Sequence, residues 1–148
     1  MIDPSESQAQ AFFATDQTRP VIFLNCHRYY SRARYPDDFV DDRYPTNVSG
    51  REAYHRYFSE VSSKFVPRVG GRILLAGSVD MVFIGEGDWD EIIMGQYPSK
   101  EHAMRIPAMP GYEEIAIHRN AGLEYAQTLV LSPRDMMINT LDKFGDRL

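Results

Sequence analysis

From residue 21 onward the apolar side chains switch between the two-residue period of a strand and the 3.6-residue period of a helix, in the order strand, helix, strand, strand, helix, strand. No other feature of the chain constrains the fold as much. The first strand is the run Val21-Ile22-Phe23-Leu24-Asn25-Cys26-His27, short and rich in β-formers. Ile22, Leu24 and Cys26 lie on one of its faces, and Phe23, Asn25 and His27 on the other. Ser49-Gly50-Arg51-Glu52 has the spacing of a capping box, and Tyr54, Tyr57, Phe58, Val61 and Phe65 then recur as one apolar helical face. Pro67 and Gly70-Gly71 stop that helix. Residues 72–84 read as a long strand bent or bulged at Gly77, Glu86-Gly87-Asp88 as a turn, and residues 92–97 as the next strand. Ser99 caps a second helix with Glu101 in its first turn; Pro107 interrupts it, and Pro110 restarts a stretch carrying Tyr112, Ile115 and Ala116 up to His118-Arg119. Residues 123–131 form the last core strand.

A β-α-β-β-α-β order predicts an α+β, ferredoxin-like domain: an antiparallel sheet with both helices on one face. The other face must be covered as well. In a chain of 148 residues a second copy is the simplest cover, so the expected assembly is a homodimer in the form of a dimeric α/β barrel. The core domain spans residues 20–131. Residues 1–19 are an N-terminal extension in which Ser5 caps a short helix carrying Ala9, Phe12 and Phe13, and residues 132–148 are a C-terminal helical extension with Met136, Met137, Thr140, Leu141 and Phe144 on one side. Residues 29–49 hold two prolines and four aspartates without periodicity, and read as a long surface loop.

Charge and composition exclude several classes. The net charge is −5 with no basic face, which argues against nucleic acid as a partner. No apolar run approaches the roughly 20 residues that span a bilayer, so no membrane partner is expected. The first residues lack the basic start and apolar stretch of a secretory signal, and the single cysteine, Cys26, fits a reducing cytoplasm.

Five segments, taken in order, resemble one known family. They are Gly70-Gly71-Arg72 entering a strand, Gly85-Glu86-Gly87-Asp88-Trp89 before the next, Tyr97-Pro98-Ser99 opening a helix, Gly111-Tyr112-Glu113, and Arg119 seven residues beyond Tyr112. Together they resemble the family catalogued as domain of unknown function 1330 (DUF1330), of the dimeric α/β-barrel superfamily, over roughly residues 20–131. The resemblance implies a fold and a homodimer, and no reaction. The chain departs from the family pattern in the long loop 29–49, in Ile106-Pro107-Ala108-Met109-Pro110, and in both terminal extensions.

Several residues could carry chemistry. His118 and Arg119 combine a group that titrates near neutrality with a fixed cation, a pair suited to moving a proton and holding an anion; the structural alternative is an Arg119 ion pair, for instance with Glu113. His27 and Asn25 would enter a pocket if their strand face looks into the barrel, or serve as packing if it meets a partner. Arg72 could grip a carboxylate, and Tyr54, Tyr97 and Tyr112 could hydrogen-bond a ligand, although core tyrosines with satisfied hydroxyls are the commoner case. His55 and His102 are expected to face solvent. Asp37, Asp38, Asp41 and Asp42 lack the pattern of a calcium loop, and no phosphate loop or dinucleotide fingerprint occurs, so neither metal nor cofactor is expected. Three functions remain open: a cofactor-independent enzyme acting on a small carboxylated or aromatic metabolite, with His118, Arg119 and His27 as catalytic candidates; a non-catalytic ligand-binding or stress-related dimer; and a structural dimer.

Overall fold

The structure is a computed structural model that describes residues 1–134. A short helix α1 (Glu6–Phe13) starts at Ser5, whose hydroxyl accepts from the Gln8 amide while the Gln8 side chain accepts from the Ser5 amide. This satisfies two otherwise orphaned helix-end donors. Strand β1 (Val21–Tyr29) runs two residues further than its sequence pattern suggests. Helix α2 (Gly50–Glu60) is capped by Ser49, which accepts from the Glu52 amide; the helix continues through a π-helical turn (Val61–Phe65) and a 3-10 turn (Pro67–Val69). Gly70 ends it in the left-handed conformation, with φ 73°, where a side chain would be strained. Strands β2 (Arg72–Ser78) and β3 (Glu91–Tyr97) follow, then the short α3 (Lys100–Met104), a 3-10 turn over Ile106–Ala108, α4 (Tyr112–Gly122) and β4 (Leu123–Leu131).

The four strands are antiparallel in the order β2-β3-β1-β4, which is the ferredoxin-like arrangement. Two expectations about β2 change. The strand ends at Ser78, leaving residues 79–90 as a loop, and its register shift falls between Ile73 and Leu75 instead of at Gly77. The loop tip is apolar yet open to solvent at Met81, Phe83 and Ile84, so it lacks the pairing that would extend the strand. The expected C-terminal helix, with Met136, Met137 and Phe144, lies outside the described residues.

Helices α2 and α4 pack on each other and on the sheet face carrying Phe23, His27, Tyr29, Glu91 and Ile93. The two helices cross with their backbones in contact. A Cβ on Gly50 would come within 2.7 Å of the Gly122 carbonyl oxygen, and one on Gly122 within 2.4 Å of the Gly50 carbonyl. Tyr30 ties the crossing together, donating its amide to Gly122 and accepting from the Gly50 amide, both at 2.9 Å. Two apolar clusters fill the space between the layers. One is built on Val61, Phe65, Val66, Val69 and Ile106, the other on Tyr29, Tyr54, Ile93 and Leu123. The opposite sheet face, with Ile22, Leu24, Met94, Leu129 and Leu131 in register, carries no helix among the described elements, and Leu129 there is 46% exposed.

Candidate functional site

Strand alternation puts His27 and Tyr29 on the helix-covered face of β1, opposite Glu91, the first residue of β3. Tyr54 and His55 reach the same spot from α2. The Tyr29 hydroxyl donates to Glu91 Oε2 at 2.5 Å, and His55 Nε2 donates to the same oxygen at 2.8 Å. Arg51 lies 3.6 Å from it and donates to the Asp90 carbonyl. An almost fully buried carboxylate thus holds two strands and a helix together through two hydrogen bonds and an ion pair. Burial, with the Glu91 hydrogen bond, pushes the Tyr29 hydroxyl above its usual range, and burial does the same to Tyr54.

His27 packs on Tyr54 with ring centroids 4.6 Å apart and is 4% exposed. Its Nδ1 is the one fully buried side-chain polar atom without a hydrogen-bond partner among the described residues. Burial lowers its pKa to about 4, against a smaller opposing pull from Glu91, so the ring is neutral at physiological pH. The charge of Arg119 on α4 also lowers it, and partly opposes the rise that burial produces at the Tyr54 and Tyr57 hydroxyls. The guanidinium itself is held by the N-terminal segment: Nη2 donates to the Ile2 carbonyl at 2.5 Å and Nη1 lies 3.2 Å from Asp3 Oδ1. Arg119 therefore pairs with Asp3 and not with Glu113.

His118 is turned the other way. Tyr35, Phe39 and Tyr44 of the long loop surround its ring, with the Tyr44 ring centroid at 4.5 Å. Its Nδ1 lies 2.7 Å from the Tyr35 hydroxyl, which accepts from Arg56 at 3.0 Å. The Tyr35 proton is therefore free to go to His118 Nδ1, which fixes the ring as an acceptor on that side. Burial lowers the His118 pKa, as does the Arg56 charge. His118 and Arg119 do not converge, since neighbouring residues on a helix point about 100° apart.

The other candidates are placed as follows. Asn25 donates to the Ile93 carbonyl and accepts from Thr128, so its amide is occupied. Tyr97 packs edge-on against Phe23, its pKa pushed up to about 12 by burial. Tyr112 meets Tyr57 hydroxyl to hydroxyl at 3.3 Å. Arg72 is exposed and donates to Gln96. His102 bonds its own cap, Ser99. His55 faces Glu91 with one edge, which corrects the expectation that it looks only to solvent; the buried acid recruits it. Asp41 pairs with Arg43, and among the described residues no group of three or more His, Cys, Asp or Glu is placed to hold a metal. Cys26 is buried, which raises its pKa and leaves it a protonated thiol. Two open depressions of about 250 and 300 Å³ lie over loop residues Tyr35, Pro36 and Phe39 and over Pro107, Met109 and Glu114, and neither is lined by His27 or Arg119. No helix of the described residues is long and apolar enough to cross a membrane.

Known proteins bear on this arrangement. A solved protein of unknown function, RPA0582 from Rhodopseudomonas palustris, shares 30% identity over 90% of this chain and 97% of that one, with a TM-score of 0.76. The methylated form of RPA0582 aligns with a TM-score of 0.77 at 30% identity, over 91% of this chain and 96% of that one. An uncharacterised NIPSNAP-like domain protein from Burkholderia xenovorans aligns over 80% of this chain and 88% of that one at 15% identity, with a TM-score of 0.47. Among curated proteins none matches. The model of the family named Domain of unknown function (DUF1330) matches residues 45–132. The chain belongs to that family.

Proposed function

We propose that this member of the DUF1330 family binds a small carboxylated or aromatic metabolite between its sheet and helices and moves a proton on it through His27, without a cofactor. One observation carries the reading: the unpartnered Nδ1 of His27, buried beside the rings of Tyr29 and Tyr54. Buried polar atoms in native proteins almost always find a partner, so an orphan among aromatic rings marks a place where a ligand atom completes the set. A neutral imidazole can accept a proton from a bound substrate and return it, and an anion formed in between would be held by Arg119. The Glu91 network keeps the strand and helix around His27 fixed.

The protein works in this reading as a homodimer, a second copy covering the open sheet face. That face presents Leu24, Met94, Leu129 and Leu131 in register, and Leu75, Tyr125 and Leu129 are all more than two-fifths exposed.

A second reading, a structural dimer without a ligand, draws on the close burial of His27, which neither concavity reaches. A thermal-shift screen with small carboxylic acids and aromatic metabolites separates the two. The expected result is that one chemical class raises the melting temperature of the wild type by several degrees and leaves His27→Phe unmoved. If no class shifts either protein, the structural reading replaces the proposal.

A further inference from the structure

The first three residues lie on Arg119 and beside Ala126, the β4 residue paired with His27. The Met1 carbonyl accepts from the amide of Ala126 at 3.1 Å, which lays the segment against the free edge of β4. The Ile2 side chain packs against the buried cluster of Tyr29, Tyr54, Ile93 and Leu123, of which Tyr29 and Tyr54 stand ring to ring with His27. The Ile2 carbonyl and the Asp3 carboxylate take the two outer nitrogens of Arg119, whose Nη1 also donates to Asn120. An aliphatic group on the buried cluster and oxygens on the guanidinium are the contacts a small amphiphilic acid would make there.

We infer that Met1–Asp3 is an internal stand-in for the ligand, a strap that a short branched aliphatic carboxylate displaces from Arg119 and the Tyr29–Tyr54 wall. This rests on the pocket reading above and adds the ligand class and its regulation. The strap satisfies Arg119 poorly. It offers one carbonyl oxygen and one oxygen of a carboxylate that is 72% exposed, whereas the planar fork of arginine is matched by both oxygens of a single carboxylate. Its attachment is slight too. The segment has no regular secondary structure, and its Asp3 carboxylate is open to solvent, which weakens the pair with Arg119. A free acid carrying an isobutyl-sized group replaces the Ile2 side chain and the strap's polar contacts at once. The aliphatic class follows from Ile2, since that is the group packed on this cluster in the structure.

Calorimetric titration with 4-methylpentanoate, with 4-methylpentanamide as the uncharged control, tests the assignment on three proteins: wild type, Asp3→Asn, and the double variant Ile2→Gly/Asp3→Asn. The carboxylate is expected to bind the double variant about tenfold more tightly than the wild type, with Asp3→Asn in between, and the amide to bind none of them measurably. In the wild type, saturating carboxylate should also speed hydrogen exchange at the Ala126 amide, because its bond to Met1 is released; this readout needs no variant. Equal affinity for all three proteins with unchanged Ala126 protection overturns the strap and leaves the pocket standing. No binding to any of them overturns the aliphatic-carboxylate assignment. The pocket itself is then judged by the His27→Phe comparison above, which does not involve the strap.

Discussion

His27 and His118 are equally buried, each 4% exposed and each held neutral by burial, yet their surroundings differ in kind. His118 has its Nδ1 on the Tyr35 hydroxyl and three aromatic rings from one loop around it. Its polar atom is accounted for by the chain, and its evident work is to pin that loop to α4. His27 sits among equally aromatic walls, but its Nδ1 meets nothing. Burial and a lowered pKa therefore do not distinguish a structural histidine from a functional one. The partner, or the lack of one, does.

The contrast can be broken in three ways, of decreasing size. Removing the buried acid beside His27 comes first. Glu91→Ala strands the Tyr29 hydroxyl in the core and releases His55 and Arg51, and should cost about 3–4 kcal/mol in urea unfolding. A loss under about 1 kcal/mol would show that the network does not hold the His27 wall. The second test is acid titration. The folded pKa of His27 is about 4 against 6.5 for a free imidazole, so the unfolded chain binds the extra proton between those values. Stability from this group is fully present above about pH 6.5 and falls as pH drops towards about 4, by about 3 kcal/mol in all. His118 adds to the loss below about pH 6.5, because burial lowers its pKa in the same direction. His27→Phe should stay within about 1 kcal/mol of wild type at pH 7, since an apolar ring replaces an unpaired nitrogen, and should flatten the acid limb. An unchanged acid limb would mean that His27 is solvated. The smallest effect is expected for Tyr35→Phe, at about 1 kcal/mol, with faster hydrogen exchange in residues 33–48. The same change should leave His27 titration untouched, and a shift there would show that the two histidines are coupled.

The fold was legible because period and order are local properties. The strand, helix, strand, strand, helix, strand pattern and the caps at Ser5, Ser49 and Ser99 are written in contiguous residues, and the antiparallel sheet follows from them. The long reading of β2 failed because residues 81–84 are apolar without being paired, and hydrophobicity alone does not supply a partner strand. The candidate site was legible only in part. His27, Tyr54 and Arg119 stand out by residue type, but which face of β1 meets the helices is a tertiary fact. Pairing His118 with Arg119 followed adjacency in sequence, which a helix turns into divergence in space. Glu91 was missed because the strand seemed to begin at Ile92; an acid directly before Ile92-Ile93 was the available signal. Nothing in Met1-Ile2-Asp3 points to Arg119, since that contact spans nearly the whole chain.

The crossing of Gly50 and Gly122 carries a consequence for the order in which the chain can assemble. Tyr30 bonds to Gly122, and Arg34 donates to the carbonyl of Ala121, so both anchors at the start of the long loop wait for the end of α4. While the polypeptide emerges from its N-terminus, β1 and α2 can form and the loop keeps its bonds to Gly50 and Arg56, but both anchors on α4 and the His118 ring it packs around are missing, so the entropic cost of ordering it is only partly offset. Its aromatic ring set around His118 is thus a late event that reports completion of the final third of the domain. A nascent or truncated chain ending before residue 121 would expose Tyr35, Phe39 and Tyr44 together, the kind of surface that chaperones recognise.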